Sequence, residues 1–181
     1  MSSSTSPSDT FVGYGANVGS PIATMEQALP LLERELGPLV ARSSFYETLA
    51  LTLDGKPQSN YINAVLQFST SLAPQVILRV LLDVERRLGR DRTSVPRWAP
   101  REIDLDLLFV GSLSEHSEFL SLPHPEIANR DFVLTPMAEI APDFRHPKLE
   151  MTISELDRSL EMRGFQRFVL RQVRQGCCAN R

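Results

Sequence analysis

At 181 residues the chain has room for one well-buried core and too little length for two independent ones. Its apolar and charged fractions, 42% and 23%, are those of an ordinary globular protein, and a net charge of −3 argues against a general nucleic-acid binder. No apolar run approaches the roughly 18–20 residues that cross a bilayer.

The first nine residues, MSSSTSPSD, lack a basic start and an apolar centre, so they read as a disordered tail rather than a signal peptide. A single domain is expected over residues 10–175, followed by a short tail at 176–181. FVGYGANVG (11–19) reads as a strand running into a glycine turn. Ser20 and Pro21 then suit an N-cap and first helical position, and Ile22, Met25, Leu29, Leu32 and Leu36 recur at helical spacing before Gly37. Pro30 inside that run predicts a kink or an early break. LVARSSFYET (39–48) reads as a second strand, and LALTLDGKPQS (49–59) as a mobile surface loop.

NYINAVLQFST (60–70) has the β-branched and aromatic character of a buried strand. APQVILRVLLDVERRLG (73–89) is the clearest helix, with Pro74 in its first turn, a stripe of Ile77, Leu81, Val84 and Leu88, and Gly89 at its end. An arginine-rich loop (90–100) leads into EIDLDLLFV (102–110), a strand closed by Gly111. Beyond it, PHPEIANRDFVLTPMAEIAP predicts short helical turns between prolines, then a small helix near 152–162 and an edge strand near 166–173. This alternation is too short and irregular for a doubly wound sheet and points to an α+β sandwich with a mostly antiparallel sheet. Cys177 and Cys178 are adjacent, poorly placed to staple a fold, and fit a reducing cytoplasm.

Two carboxylates stand out in the strand 102–110. The period of two puts Asp104 and Asp106 on one face, about 6–7 Å apart at Cα, with Leu108 and Val110 continuing that face and Ile103, Leu105, Leu107 and Phe109 on the other. Such a pair can converge on Mg²⁺, which is commonly held by one or two carboxylates with phosphate oxygens completing the shell; the plain alternative is a solvated face. Only Lys56 and Lys148 are lysines, and six arginines fall between Arg86 and Arg101. Arg90, Arg92, Arg97 and Arg101 suit bidentate grip of phosphate oxygens, or plain salt bridges to the aspartates. Neither a G-x-x-x-x-G-K-[ST] loop nor a kinase H-R-D set is present, so any ATP chemistry needs another frame. His124, held between prolines, is a candidate functional or structural histidine, and Tyr61 and Phe132 are candidate core residues or platforms for a flat substrate. A base-stacking RNA module on a similar sheet is the competing class, opposed by the acidic net charge and the missing RNP1 sequence.

SSFYET, YINAV, LGRDR, RWAPREIDLDLLFVG and LPHPEIANRDFVLTPMAEIAP follow in an order that resembles the 6-hydroxymethyl-7,8-dihydropterin pyrophosphokinase family of folate biosynthesis, over about residues 11–147. The resemblance implies a ferredoxin-like sandwich with three active-site loops, and transfer of the β,γ-pyrophosphate of ATP to the pterin hydroxymethyl group with release of AMP. It implies two Mg²⁺ ions on Asp104 and Asp106, and Arg92 and Arg101 as catalytic arginines on the phosphates. It assigns Trp98, Ser121, His124 and Arg130 to ATP, and Thr48, Leu51, Tyr61, Asn63, Trp98 and Phe132 to the pterin. A cytoplasmic monomer acting on small molecules, without nucleic acid or membrane, goes with it. The chain departs from the family pattern at Ala16, Leu49, Leu82 and Ala99.

Overall fold

The computed structural model describes residues 6–50, 58–90, 99–164 and 168–173. Strand β1 (Ser8–Ala16) begins earlier than the sequence suggests: Ser8 and Asp9, expected in the tail, pair with Thr70 and Ser69 of β4 (Tyr61–Thr70). Helix α1 (Pro21–Leu36) follows, with proline in its first turn and no hydrogen bond from the Ser20 side chain; the Ser20 carbonyl accepts from the Thr24 N–H at 2.9 Å. Pro30 does not end it. A proline there forfeits one backbone bond, and the burial of Met25, Ala28, Leu29, Leu32 and Leu36 along one face outweighs that loss.

The expected strand 39–48 is two strands, β2 (Leu39–Arg42) and β3 (Phe45–Thr48), because Ser43 interrupts the ladder. Its Oγ accepts from the Val65 N–H and donates to the Ser44 carbonyl, replacing sheet bonds with a local side-chain link. Helix α2 (Pro74–Arg87) follows β4 and ends before Gly89, whose φ is +95°. Then come β5 (Asp104–Val110) and the small hairpin β6 (Glu115–His116) and β7 (Ser121–Leu122). After a 3₁₀ turn (Ile127–Asn129), the stretch read as short turns between prolines is largely one helix, α3 (Asp131–Ile140), with Pro136 inside it. Helix α4 (Ile153–Ser159) starts at a capping box made by Thr152 and Glu155, and β8 (Val169–Val173) lies on the sheet edge.

Among the described residues the sheet runs β5-β1-β4-β3-β8 with β2 also on β4, and each of these pairings is antiparallel. With α1 and α2 as the two crossovers, the first four strands give a ferredoxin-like arrangement. Helices α1 and α2 cover one face through Leu29, Leu32, Ile77 and Leu81. Helices α3 and α4 cover part of the other through Leu134, Met137, Ile153 and Leu156.

Strict alternation along β5 fails at one point. The register against β1 slips between Phe11 and Val12, whose partners are Phe109 and Leu107, so Leu108 is an extra residue. Phe109 therefore packs with Phe11 on the α3 side beside Leu108, while Val110 joins Leu107 on the α1 side. The expected grouping of Phe109 with Ile103, Leu105 and Leu107 is corrected by this bulge, whereas Asp104 and Asp106, which precede it, keep a common face.

His146 sits behind the bulge, 6% exposed, its ring edge-on to Phe109 at 5.5 Å and its Nδ1 accepting from the Lys148 and Leu149 N–H groups. Burial holds its pKa below the ordinary histidine value. The unfolded chain therefore takes up this proton first as pH falls below about 6.5, and the fold loses stability there. Urea midpoints measured between about pH 7.5 and 5 should fall more steeply for the wild-type chain than for His146→Gln; parallel profiles would contradict the assignment.

Candidate active site

The cavity over the sheet exists because β1 carries no side chains where its neighbours carry theirs. In one row across three strands, Asn63 of β4, Gly15 of β1 and Asp104 of β5 lie in register. In the next, Val65, Gly13 and Asp106 do so. Any side chain at either glycine would stand on the floor between the polar groups of β4 and the carboxylates of β5. A Cβ at Gly15 would come within 2.9 Å of Asn63 Oδ1. The Asn63 side chain cannot simply swing aside, since its amide donates to the Thr48 hydroxyl at 2.7 Å. Thr48, Leu49, Tyr61, Arg101, Arg130 and Phe132 complete the walls, so the floor comes from β1, β4 and β5 and one wall from the start of α3.

The charges at the β5 end form a chain rather than two bare carboxylates. Glu85 of α2, 1% exposed, accepts from the Leu105 N–H at 2.7 Å and pairs with Arg90 at 2.5 Å. Arg90 also pairs with one oxygen of Asp104, and Arg101 pairs with the other. Arg101 is fixed in turn by Asn17, whose Oδ1 accepts from the Arg101 N–H at 2.9 Å and whose amide donates to the Ser59 carbonyl at 3.1 Å. Arg90 and Arg101 are thus salt-bridged to Asp104, the alternative to phosphate grip that the sequence also offered. Asp106 receives no hydrogen bond or ion pair from the described residues. Burial, then the neighbouring Asp104 charge, push its pKa up. Burial also pushes the Tyr61 hydroxyl up, keeping it protonated, and pushes His124 down against the attraction of Asp106.

Of the residues expected at the site, Thr48, Tyr61, Asn63, Arg101, Asp104, Asp106, Arg130 and Phe132 line the one cavity. Arg130 lies 5.6 Å from the Phe132 ring centre. His124 is not in the lining; its backbone N–H donates to the Leu108 carbonyl at 3.1 Å, which sets it along the free edge of β5, near enough to Asp106 for the two to interact electrostatically. Ser121 is not brought to the cavity either; its hydroxyl bonds His116 Nδ1 at 2.7 Å in the β6–β7 hairpin. Leu51, Arg92 and Trp98 lie outside the described residues.

The profile of the family described as 7,8-dihydro-6-hydroxymethylpterin-pyrophosphokinase (HPPK) matches residues 11–142. The chain belongs to this family. A 2-amino-4-hydroxy-6-hydroxymethyldihydropteridine pyrophosphokinase of Synechocystis sp. is 40% identical to it over 146 residues, covering 80% of this chain and 72% of that protein. A protein of the same name from Aquifex aeolicus is 34% identical over 155 residues, covering 86% and 94%. Among solved structures, wild-type Plasmodium falciparum HPPK-DHPS superposes with a TM-score of 0.72 at 17% identity, covering 90% of this chain and 46% of that one. The chain thus spans under half the length of that HPPK-DHPS chain, and the likeness there is one of fold. Within an HPPK frame the Asn63–Gly15–Asp104 row links the half of the cavity that is aromatic and amide-lined to the half that is charged.

Gly13, Gly15 and Glu85 were not singled out from the sequence as site residues, and Arg90 was not told apart from the arginines around it. Gly13 and Gly15 alternate inside a strand, a pattern that marks close approach or open floor. Glu85 follows Val84 on the buried side of α2, a carboxylate where the helix stripe is apolar. Arg90, read as one of several phosphate-gripping arginines, is 11% exposed and spans two carboxylates. Glu85→Ala removes the partner of a buried cation and of the Leu105 N–H, and should cost about 3 kcal/mol by urea denaturation, with Glu85→Gln costing less. A loss near zero would show that Arg90 needs only Asp104.

Proposed function

We propose that this chain transfers the β,γ-pyrophosphate of ATP to the hydroxymethyl oxygen of 6-hydroxymethyl-7,8-dihydropterin, with the pterin ring seated over Gly13 and Gly15. The observation that carries this is the cavity itself, which sets an aromatic and amide-lined half beside a half of paired carboxylates and arginines on adjacent strands. Tyr61 from the sheet and Phe132 from α3 give the flat ring two apolar surfaces, and Asn63, already oriented by Thr48, offers its carbonyl to the ring's hydrogen-bonding edge. Leu51 and Trp98 join this half in our assignment on sequence grounds.

The hydroxymethyl oxygen attacks the β-phosphorus in line. The bond from that phosphorus to the α,β-bridging oxygen breaks, AMP leaves with the oxygen, and the hydroxyl proton passes to solvent. This chain's contribution is to position both substrates and to balance charge on the transferred group. Arg101 and Arg90 exchange Asp104 for phosphate oxygens as the nucleotide arrives, with Arg130 on the opposite wall. We assign Arg92, Trp98, Ser121 and His124 to the nucleotide side as well, His124 acting from the free edge of β5.

Asp104 and Asp106 suit Mg²⁺: both are hard oxygen donors on one face, and Asp106 is a half-buried carboxylate without a cation of its own among the described residues. These two residues would hold two Mg²⁺ ions, which when bound neutralise triphosphate charge and polarise the transferred phosphorus. We extend the proposal to a monomer in the cytoplasm, where ATP is supplied, acting on small molecules alone; the net charge of −3 accords with the absence of a nucleic-acid role.

AMP release from ATP and 6-hydroxymethyl-7,8-dihydropterin with Mg²⁺ tests the proposal directly. Asp106→Asn should lower kcat by about 100-fold or more while pterin affinity shifts by less than about threefold. Near-normal turnover by both Asp104→Asn and Asp106→Asn would sink the metal assignment. Phe132→Ala and Tyr61→Ala should each weaken pterin binding about tenfold, as the loss of one stacking surface requires, with little change in nucleotide affinity; unchanged titrations of pterin fluorescence would move the ring elsewhere.

A further inference from the structure

Asp131 is a buried carboxylate that the chemistry above does not use. It is the first residue of α3, between the two cavity residues Arg130 and Phe132, and it is fully buried. Its Oδ2 accepts from two consecutive backbone N–H groups, those of Phe168 at 2.6 Å and Val169 at 2.8 Å. Its Oδ1 is buried with no hydrogen-bond partner among the described residues. Burying a carboxylate with one oxygen unsatisfied is costly, and merely anchoring a strand would not require it.

What the two N–H groups belong to explains the investment. Phe168 immediately precedes and Val169 starts β8, an edge strand whose side chains are mostly exposed, so few apolar contacts fix its position. From this point the chain touches both walls of the cavity. The Phe168 carbonyl accepts from the Leu49 N–H at 3.0 Å, and Val169 pairs with Thr48, both on the β3 wall. The Phe168 ring meets Phe132 edge-on at 6.3 Å on the α3 wall. Residues 168–169 therefore bridge the end of β3 and the start of α3, and Asp131 holds the bridge to the helix end.

We propose that Asp131 is a positioning residue for the pterin pocket. Through Phe168 and Val169 it sets the distance between the Thr48–Leu49 wall and Phe132, and so the width of the slot that takes the ring. The charge-assisted pair of bonds makes this setting stiff, and its place in the first turn of α3 also favours a negative charge there. The proposal rests on our assignment of the cavity to the pterin.

The test uses the full chain with 6-hydroxymethylpterin and a non-hydrolysable ATP analogue with Mg²⁺, each titrated separately. Asp131→Ala should raise the pterin Kd by about tenfold or more, as the loss of a preorganised slot implies, while the nucleotide Kd changes by less than about twofold. Asp131→Asn, which keeps a carbonyl for both N–H groups, should recover most of the pterin affinity. Equal losses of pterin and nucleotide affinity, or none, would overturn the positioning role and leave a structural one. A measurement on the wild-type chain guards against a variant that fails to fold: saturating pterin should slow hydrogen exchange at the Phe168 and Val169 amides, and unchanged exchange would overturn the coupling. Failure of the wild-type chain to bind pterin at all would overturn the assignment of the cavity, and this proposal with it.

Discussion

Two aspartates on one strand face, part-way into a protein, repel each other; the rest of the site is arranged around that fact. The chain balances one of the two and leaves the other open. Asp104 is held between Arg90 and Arg101, and Arg90 is itself anchored by a glutamate inside α2. Asp106 has burial and a like charge beside it and no ion pair among the described residues, with Arg130 and Arg90 acting on it from farther off. The asymmetry gives the strand two functions. The neutralised carboxylate lets β5 reach the rim without strong repulsion, and the other is the one that would take the metal ion proposed above. Glu85 belongs to this economy because the same oxygen that meets Arg90 also accepts from the Leu105 N–H, tying the backbone between the aspartates to the helix behind them.

That arrangement places demands on the neighbouring strand. Carboxylates projecting from β5 need open space before them, and a middle strand with ordinary side chains would fill it. Gly13 and Gly15 provide the space on the α3 side, while the intervening Tyr14 is buried on the other face. The bulge at Leu108 then separates the acidic stretch from the apolar one. Before it, alternation puts Asp104 and Asp106 toward the cavity; after it, the shifted register turns Phe109 toward α3 and α4 to help build their core. One strand thereby serves as both a site wall and a core element without placing a charge in the core.

How much of this was legible in the sequence follows from the range of each interaction. The strand character of 104–110, the shared face of the two aspartates and the helix 74–87 were readable because they depend on periods of two and 3.6 residues alone. The break at Ser43 and the bulge at Leu108 were not, because each is defined by what a partner strand does opposite it. Arg90 could not be told from its arginine neighbours by local chemistry; its role is set by Glu85 one turn back and by Asp104 across the loop. Proline rules misled twice: Pro30 and Pro136 both sit inside helices that tertiary burial sustains. His124 and Ser121 were assigned to the nucleotide by motif position, and the fold sets His124 along the free edge of β5 and Ser121 in a hairpin bonded to His116.

On the proposal made above, the ion pairs around Asp104 are contacts that a bound nucleotide would have to exchange. Arg90 and Arg101 cannot grip phosphate fully while each is spent on a carboxylate oxygen, and Asp104 cannot bind a metal ion fully while both its oxygens face guanidinium groups. On the proposed reading, a metal-bound polyphosphate would resolve both conflicts in one exchange, a cation for a cation at the carboxylate and an anion for an anion at the arginines. Net charge at the site is nearly conserved, so the exchange carries a smaller electrostatic cost than building the same contacts from separated, solvated groups. The pterin half needs no such exchange, since Asn63 is already oriented by Thr48 and the floor is already clear. One half of the cavity therefore has its polar groups already oriented and the other is tied in ion pairs, a division that suits the proposed joining of a flat neutral ring to a highly charged nucleotide.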